Sequence, residues 1–146
     1  MDKKIVASLE DWQGVAEDLL SSFDLPKDKA AVLVLSGDLG VGKTSFVKAL
    51  ASVLGVEEVI TSPTFNIVKS YQTSHQQFST LVHMDAYRLE SEDELGPLRF
   101  SEILDDPDTI VCIEWGERIK DSLPNTTTYF QLDIDENNQH TIQKVS

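Results

Sequence analysis

The apolar positions of the chain fall into two kinds of pattern. Residues 8–23 (SLEDWQGVAEDLLSSF) place Trp12, Val15, Ala16, Leu19 and Leu20 at helical spacing behind Ser8, a residue suited to cap a helix. Residues 43–54 (KTSFVKALASVL) read as a second helix, closed by Gly55. Between them, 31–35 (AVLVL) is a short unbroken apolar run, as a strand buried on both faces requires. The runs 80–84 (TLVHM) and 109–114 (TIVCIE) are strands by similar reasoning. Residues 58–71 (EVITSPTFNIVKSY) are rich in β-formers but contain Pro63, which predicts two short strands or an edge strand interrupted there. Residues 90–104 turn from acidic to amphipathic and predict a partly helical segment, and 116–123 predict one helix ending at Pro124. The tail alternates, TTTYFQLDI then HTIQKV, with ENNQ between them, which predicts a hairpin. Buried-type strands separated by helices point to an α/β fold: a mixed, mostly parallel central sheet with flanking helices and an antiparallel margin.

Composition changes this picture in one respect. At 146 residues the chain predicts a single domain spanning residues 1–146, long enough to bury a core without disulfides. Its 40% apolar and 25% charged residues are ordinary, but a net charge of −13 is not. Phosphate backbones need clustered Lys and Arg, and no such cluster is present, which argues against independent nucleic-acid binding and leaves a basic protein partner open. The lone Cys112 reads as core packing in a reducing compartment. The segment MDKKIVASLEDW has no long apolar stretch, and no run approaches the roughly 18 apolar residues of a membrane helix. The expectation is a cytoplasmic chain with no membrane contact.

Candidate chemistry begins between the first apolar run and the second helix. Gly37, Asp38, Leu39, Gly40, Val41, Gly42, Lys43 and Thr44 fit G-x-x-x-x-G-K-[ST] in full, with Ser45 next. The glycines let the backbone turn back and aim several N–H groups at one point, ahead of a helix whose dipole favours an anion. Lys43 is then placed to reach the β- and γ-phosphates, and the Thr44 hydroxyl to ligate Mg²⁺. The pattern follows a predicted strand and opens a predicted helix, which is the context it requires.

Hydrolysis needs a further carboxylate near the metal, at the end of a neighbouring strand. Glu114 ends IVCIE and Asp85 follows TLVHM, so both are carried to the C-terminal edge of the sheet, where ligands bind in open α/β folds. Either could instead be a surface acid capping the next turn. His83 could point into the site, though a polar core role is favoured. Trp115 is either a core anchor or a partner surface. Arg88 and Arg118, two of only three arginines, could stabilise charge on a γ-phosphate or form surface ion pairs.

Taken together, SGDLGVGKTSF, TSPTF, HMDAYRL, IEWGER and LP, in that order and spacing, resemble the TsaE family over roughly residues 8–135. These are small bacterial P-loop ATPases that take part in making threonylcarbamoyladenosine on tRNA. The phosphate loop is shared by many families; S-P-T-F, H-x-D-x-Y-R and E-W are far more specific. The resemblance implies a single P-loop NTPase domain that binds and hydrolyses ATP with Mg²⁺. It implies two partners, a threonylcarbamoyl transferase and its paralogous subunit, which make the tRNA contact. It carries phosphate-loop roles to Lys43 and Thr44, the magnesium-side acid to Glu114, a place near the γ-phosphate to Asp85, and a nucleotide-facing loop to Thr61–Phe65. Lys43, Asp85 and Glu114 are thus the catalytic candidates, and Thr44 and Glu114 the metal candidates. The chain departs from the family near the adenine, where Trp12 stands in place of a Thr that precedes an L-G pair; it either stacks on the base or anchors the first helix, and its spacing favours the anchor. A GTPase would need a guanine-reading N-K-x-D, which is absent, and a small-molecule kinase would need several clamping arginines. A nucleotide-switched binding protein with little catalysis is compatible with the same residues.

Overall fold

The computed structural model describes residues 3–22, 24–38, 40–61, 67–87 and 89–145. Among these residues seven strands and three α-helices follow the order β1 (Lys4–Val6), α1 (Leu9–Ser22), β2 (Ala31–Ser36), α2 (Lys43–Leu54), β3 (Val68–Gln72), β4 (Thr80–Asp85), α3 (Phe100–Asp105), β5 (Thr109–Glu114), β6 (Thr128–Ile134) and β7 (His140–Lys144). The strands form one sheet in the order β1-β7-β6-β2-β5-β4-β3. The central four, β6, β2, β5 and β4, run parallel. The margins are antiparallel: β7 on β6, β1 on β7 and β3 on β4. This is the α/β architecture that the apolar runs predict, with the hairpin of the tail as β6 and β7.

The unbroken runs are explained by burial on both faces. On one side Leu33 and Leu35 of β2, Ile110 and Cys112 of β5 and Leu81 of β4 meet Trp12, Val15, Ala16 and Leu19 of α1 and Phe46, Val47 and Leu50 of α2. On the other side Val32, Val34, Val82, Met84, Val111 and Ile113 meet Leu95, Phe100 and Ile119. Truncating any of the central leucines to alanine costs about 2–5 kcal/mol by transfer and cavity terms together. Ser8 caps α1 by accepting the Asp11 N–H at 3.2 Å. The Gly55 N–H closes α2 on Ser52 O at 3.1 Å.

Two local expectations are revised, and a third, the partly helical segment 90–104, is borne out. Within 58–71 the described residues hold one strand, Val68–Gln72, at the sheet edge, while Pro63 lies outside the described residues. The segment after β5 is not one helix but two 3₁₀ turns over Gly116–Ser122, broken at Ile119 (φ −124°), whose side chain turns into the core at 1% exposure. The acidic stretch after residue 90 holds a 3₁₀ turn, Glu92–Leu95, before α3. The short β1 was not foreseen at all.

Candidate functional site

The site lies at the C-terminal edge of the parallel strands. β2 ends at Ser36, and the chain turns back through Gly37 before α2 starts at Lys43. At Gly37 (φ +148°) a Cβ would lie 2.3 Å from the Leu132 carbonyl oxygen, so no other residue fits this approach to β6. At Gly42 (φ +109°) a Cβ would lie 2.6 Å from the Trp12 indole. Trp12 is therefore the floor under the phosphate loop. It is buried, and it packs edge-on against Phe46 with ring centroids 6.4 Å apart, the anchoring position its spacing predicts.

Next to β2 lies β5 and then β4, and their register sets Asp85 opposite Glu114. The two strand-end acids, separated in sequence, thus stand side by side beyond the sheet. Gly40, Gly42, Lys43, Thr44, Ser45, Asp85, Glu114, Trp115 and His140 line one open cleft of about 420 Å³. Asp38 is exposed and adds its negative charge to the field at Lys43. Val41 is buried, and its carbonyl oxygen lies 3.1 Å from His140 Nδ1. Leu39, Arg88 and 62–65 of the T-S-P-T-F loop lie outside the described residues.

Lys43 is nearly buried, at 5% exposure. Its ammonium donates to Gly37 O at 2.6 Å and sits over the Trp115 ring, 3.8 Å from the centroid. Burial pushes its pKa down from the ordinary lysine value, while the charges of Glu114, Glu117, Asp85 and Asp38 pull it back up. A phosphate arriving here therefore meets a cation in a poorly solvated place, held by one peptide oxygen and one ring face and by no carboxylate at hydrogen-bond distance among the described residues. Trp115 itself has φ +62°, a left-handed conformation costing about 1–3 kcal/mol of the kind that gathers at functional sites. Tyr87 continues the stack outward, 5.1 Å from Trp115 and half exposed. Arg118 lies over the Tyr87 ring at 5.0 Å, beside the cleft rather than in its lining.

Glu114 is the most constrained acid of the site. It is 6% exposed, and its Oε2 lies 2.5 Å from His83 Nε2 and 3.5 Å from Thr44 Oγ1. Asp85 instead uses Oδ1 to accept the Tyr87 N–H at 2.9 Å, shaping its own turn. A hydroxyl and a carboxylate are hard oxygen donors of the type magnesium prefers. Among the described residues no group of three or more His, Cys, Asp or Glu forms a metal cage. The donor set therefore fits an ion that completes its shell from phosphate and water, as Mg²⁺ does. Burial and Glu114 push the Cys112 thiol far above its ordinary range, so it stays an inert packing group.

Two residues were underrated or missed. His83 is in the core, as favoured, yet its ring also holds Glu114; the signal lay in strand parity, since His83 opposes Cys112 and so stands diagonal to Glu114. His140, at the start of β7, was not considered. It lies 3.1 Å from Val41 O through Nδ1, packs at 6.4 Å from Trp12 and lines the cleft. With Val6, Ala7, Ser8, Leu9, Trp12, Ser45 and Lys48 it also lines an adjoining hollow of about 300 Å³. Nothing in the local sequence marks it, because the hairpin alone brings it to the loop.

Comparisons with known proteins agree with this fold. The sequence profile of the family described as "Threonylcarbamoyl adenosine biosynthesis protein TsaE" matches residues 6–144. A protein of Treponema pallidum (strain Nichols) named tRNA threonylcarbamoyladenosine biosynthesis protein TsaE is 44% identical over 108 residues, covering 73% of this chain and 76% of that one. A protein of the same name from Bacillus subtilis (strain 168) is 38% identical over 115 residues, covering 79% of this chain and 66% of that one. The crystal structure of Bacillus subtilus YdiB superposes with a TM-score of 0.73 at 25% identity, covering 98% of this chain and 83% of that one. No helix among the described residues is long and apolar enough to cross a membrane.

Proposed function

The chain belongs to the TsaE family, and on that premise we propose that it binds and hydrolyses ATP with Mg²⁺ in support of threonylcarbamoyladenosine formation on tRNA. Residues 1–146 act as one nucleotide-binding domain in the cytoplasm. The partners are a threonylcarbamoyl transferase and its paralogous subunit, and tRNA is met only through them. The net charge of −13 supports that division of labour.

One observation carries the reading: Lys43, Thr44, Asp85 and Glu114 converge on a single cleft at the mouth of a glycine loop. The loop from Gly37 to Ser45 takes the phosphates by its backbone N–H groups. Lys43 exchanges Gly37 O and the Trp115 face for phosphate oxygen. Thr44 and Glu114 would hold the magnesium, which neutralises phosphate charge when bound. Asp85 orients the attacking water, and the hollow beside Trp12 and His140 receives the base. The test is the ATP hydrolysis rate of the protein alone, then with the purified transferase pair, with Glu114→Ala as control. A low rate that rises with the pair and falls in the variant is expected. A rate indifferent to the pair would overturn the partner-activated reading and turn attention to small-molecule phosphoryl acceptors.

A second reading, a nucleotide switch with little turnover, is favoured by one contact. Lys43 touches Trp115, and Trp115 touches the exposed Tyr87, so displacement of Lys43 by phosphate is felt at the surface. Partner affinity measured with ATP, ADP and no nucleotide separates the two: a switch shows a large ATP–ADP difference with negligible turnover.

A further inference from the structure

We propose that His83 is a positioning residue for magnesium, acting through Glu114: its buried N–H fixes the carboxylate at the mouth of the cleft. The inference rests on the reading of Glu114 as the magnesium-side acid.

The geometry is specific. His83 is 0% exposed and its Nε2 lies 2.5 Å from Glu114 Oε2. An ionised carboxylate only accepts, so Nε2 carries the proton. The same oxygen is approached by the Thr44 hydroxyl. One carboxylate is thus tied to the strand beside it and to the first turn of α2. Both elements contribute a side chain to the cleft, and Glu114 joins them.

Packing alone does not account for an imidazole at this place. The other ring nitrogen, Nδ1, is buried and has no hydrogen-bond partner. The sheet face around it is apolar, with Leu81, Ile110 and Cys112 on the same side. A leucine would fill that layer without an orphaned nitrogen, and buried unsatisfied groups call for a reason beyond filling space. The reason supplied by the structure is the hydrogen bond to Glu114. Partners of this kind fix the direction of a metal-side ligand and raise its basicity, and their loss weakens metal binding by about 10- to 100-fold.

The experiment titrates ADP by calorimetry, in EDTA and at stepped Mg²⁺ concentrations, on the parent, His83→Leu, His83→Gln, His83→Asn and Glu114→Ala. Thermal melting accompanies each as a check of folding. His83→Leu is expected to raise the Mg²⁺ concentration at half effect by about 10-fold while leaving ADP affinity in EDTA unchanged. Gln carries its N–H at the reach of Nε2 and Asn does not, so Gln stays near the parent and Asn behaves like Leu. That pair decides the matter even if the leucine variant fails to fold. A parental Mg²⁺ midpoint in His83→Leu or His83→Asn, with a shifted one in Glu114→Ala, overturns the role of His83 alone. Equal losses in EDTA and in Mg²⁺ also overturn it, because they report a distorted cleft. A midpoint unmoved by Glu114→Ala removes the reading of Glu114 and this inference with it.

Discussion

The phosphate loop and the wall of acids facing it reach the same cleft by opposite means. The loop is contiguous, from Gly37 to Ser45, and its work is done by peptide groups and one lysine. The wall is discontiguous: Asp85 and Glu114 meet only because β4 and β5 are in register, and His83 reaches Glu114 only across that same pairing. On the proposed reading an acidic chain can bind an anion, because such a loop relies on backbone dipoles and not on bulk charge. On the same reading the acids next to it serve the opposite need, holding a cation. Affinity and chemistry are lodged in separable parts of the molecule.

That separation can be sharpened or broken. The largest effect is expected from Glu114→Ala, which should lower partner-stimulated ATP hydrolysis by roughly 10²–10³-fold, the scale seen when one preorganised charge-stabilising group is lost. ADP affinity in EDTA should not change; a parallel loss of affinity would merge wall and loop into one unit. Gly42→Ala attacks from the other side. It forces a side chain into a left-handed position against Trp12, and strain of that kind is expected to cost about 10- to 100-fold in nucleotide affinity, with or without Mg²⁺. An unaltered dissociation constant would mean that the loop reshapes freely.

Thr44→Ala tests the seam between the two, since its hydroxyl is offered to the metal from the loop side. About a 10-fold loss of ADP affinity is expected in Mg²⁺ and none in EDTA. The smallest effect concerns stability. The Lys43 pKa is lowered on folding by burial, so the unfolded chain binds the proton more tightly and stability rises with pH between the folded and unfolded values. At neutral pH the buried ammonium is a full burden on the nucleotide-free protein. Lys43→Met should therefore melt no lower than the parent at pH 7, and its advantage should shrink as pH climbs toward the ordinary lysine value. A variant that melts lower at pH 7 and recovers in alkali would reverse the sign and make the lysine a stabilising partner of the acids.

What the sequence disclosed follows the same division. The loop was legible because it is local: the glycines, Lys43 and Thr44 keep their spacing whatever the rest of the chain does. The central strands were legible because burial on both faces leaves an unbroken apolar run. Asp85 and Glu114 were legible as strand ends, but their adjacency depends on strand order. β1 was overlooked because three residues, one of them the half-exposed Ile5, carry too little pattern. The segment after Glu114 misled because Trp115 enters it with a left-handed backbone, and Ile119 then breaks the turn to reach the core. His140 was invisible, since only the closing of the β6–β7 hairpin brings it beside Val41.

The ammonium resting on the Trp115 ring has a consequence for light as well as for chemistry. An indole's emission responds to a charge at its face, and here that charge is the one that bound phosphates would draw away on the proposed reading. The other indole, Trp12, sits in the core beneath the loop and lines the hollow proposed for the base, so it meets a different part of the nucleotide. Filling the cleft with phosphate alone should thus shift the Trp115 emission, and a nucleotide should act on both indoles, giving the unlabelled protein a spectral signal of its own occupancy. A spectrum indifferent to saturating ADP would mean that cation and ring stay together throughout.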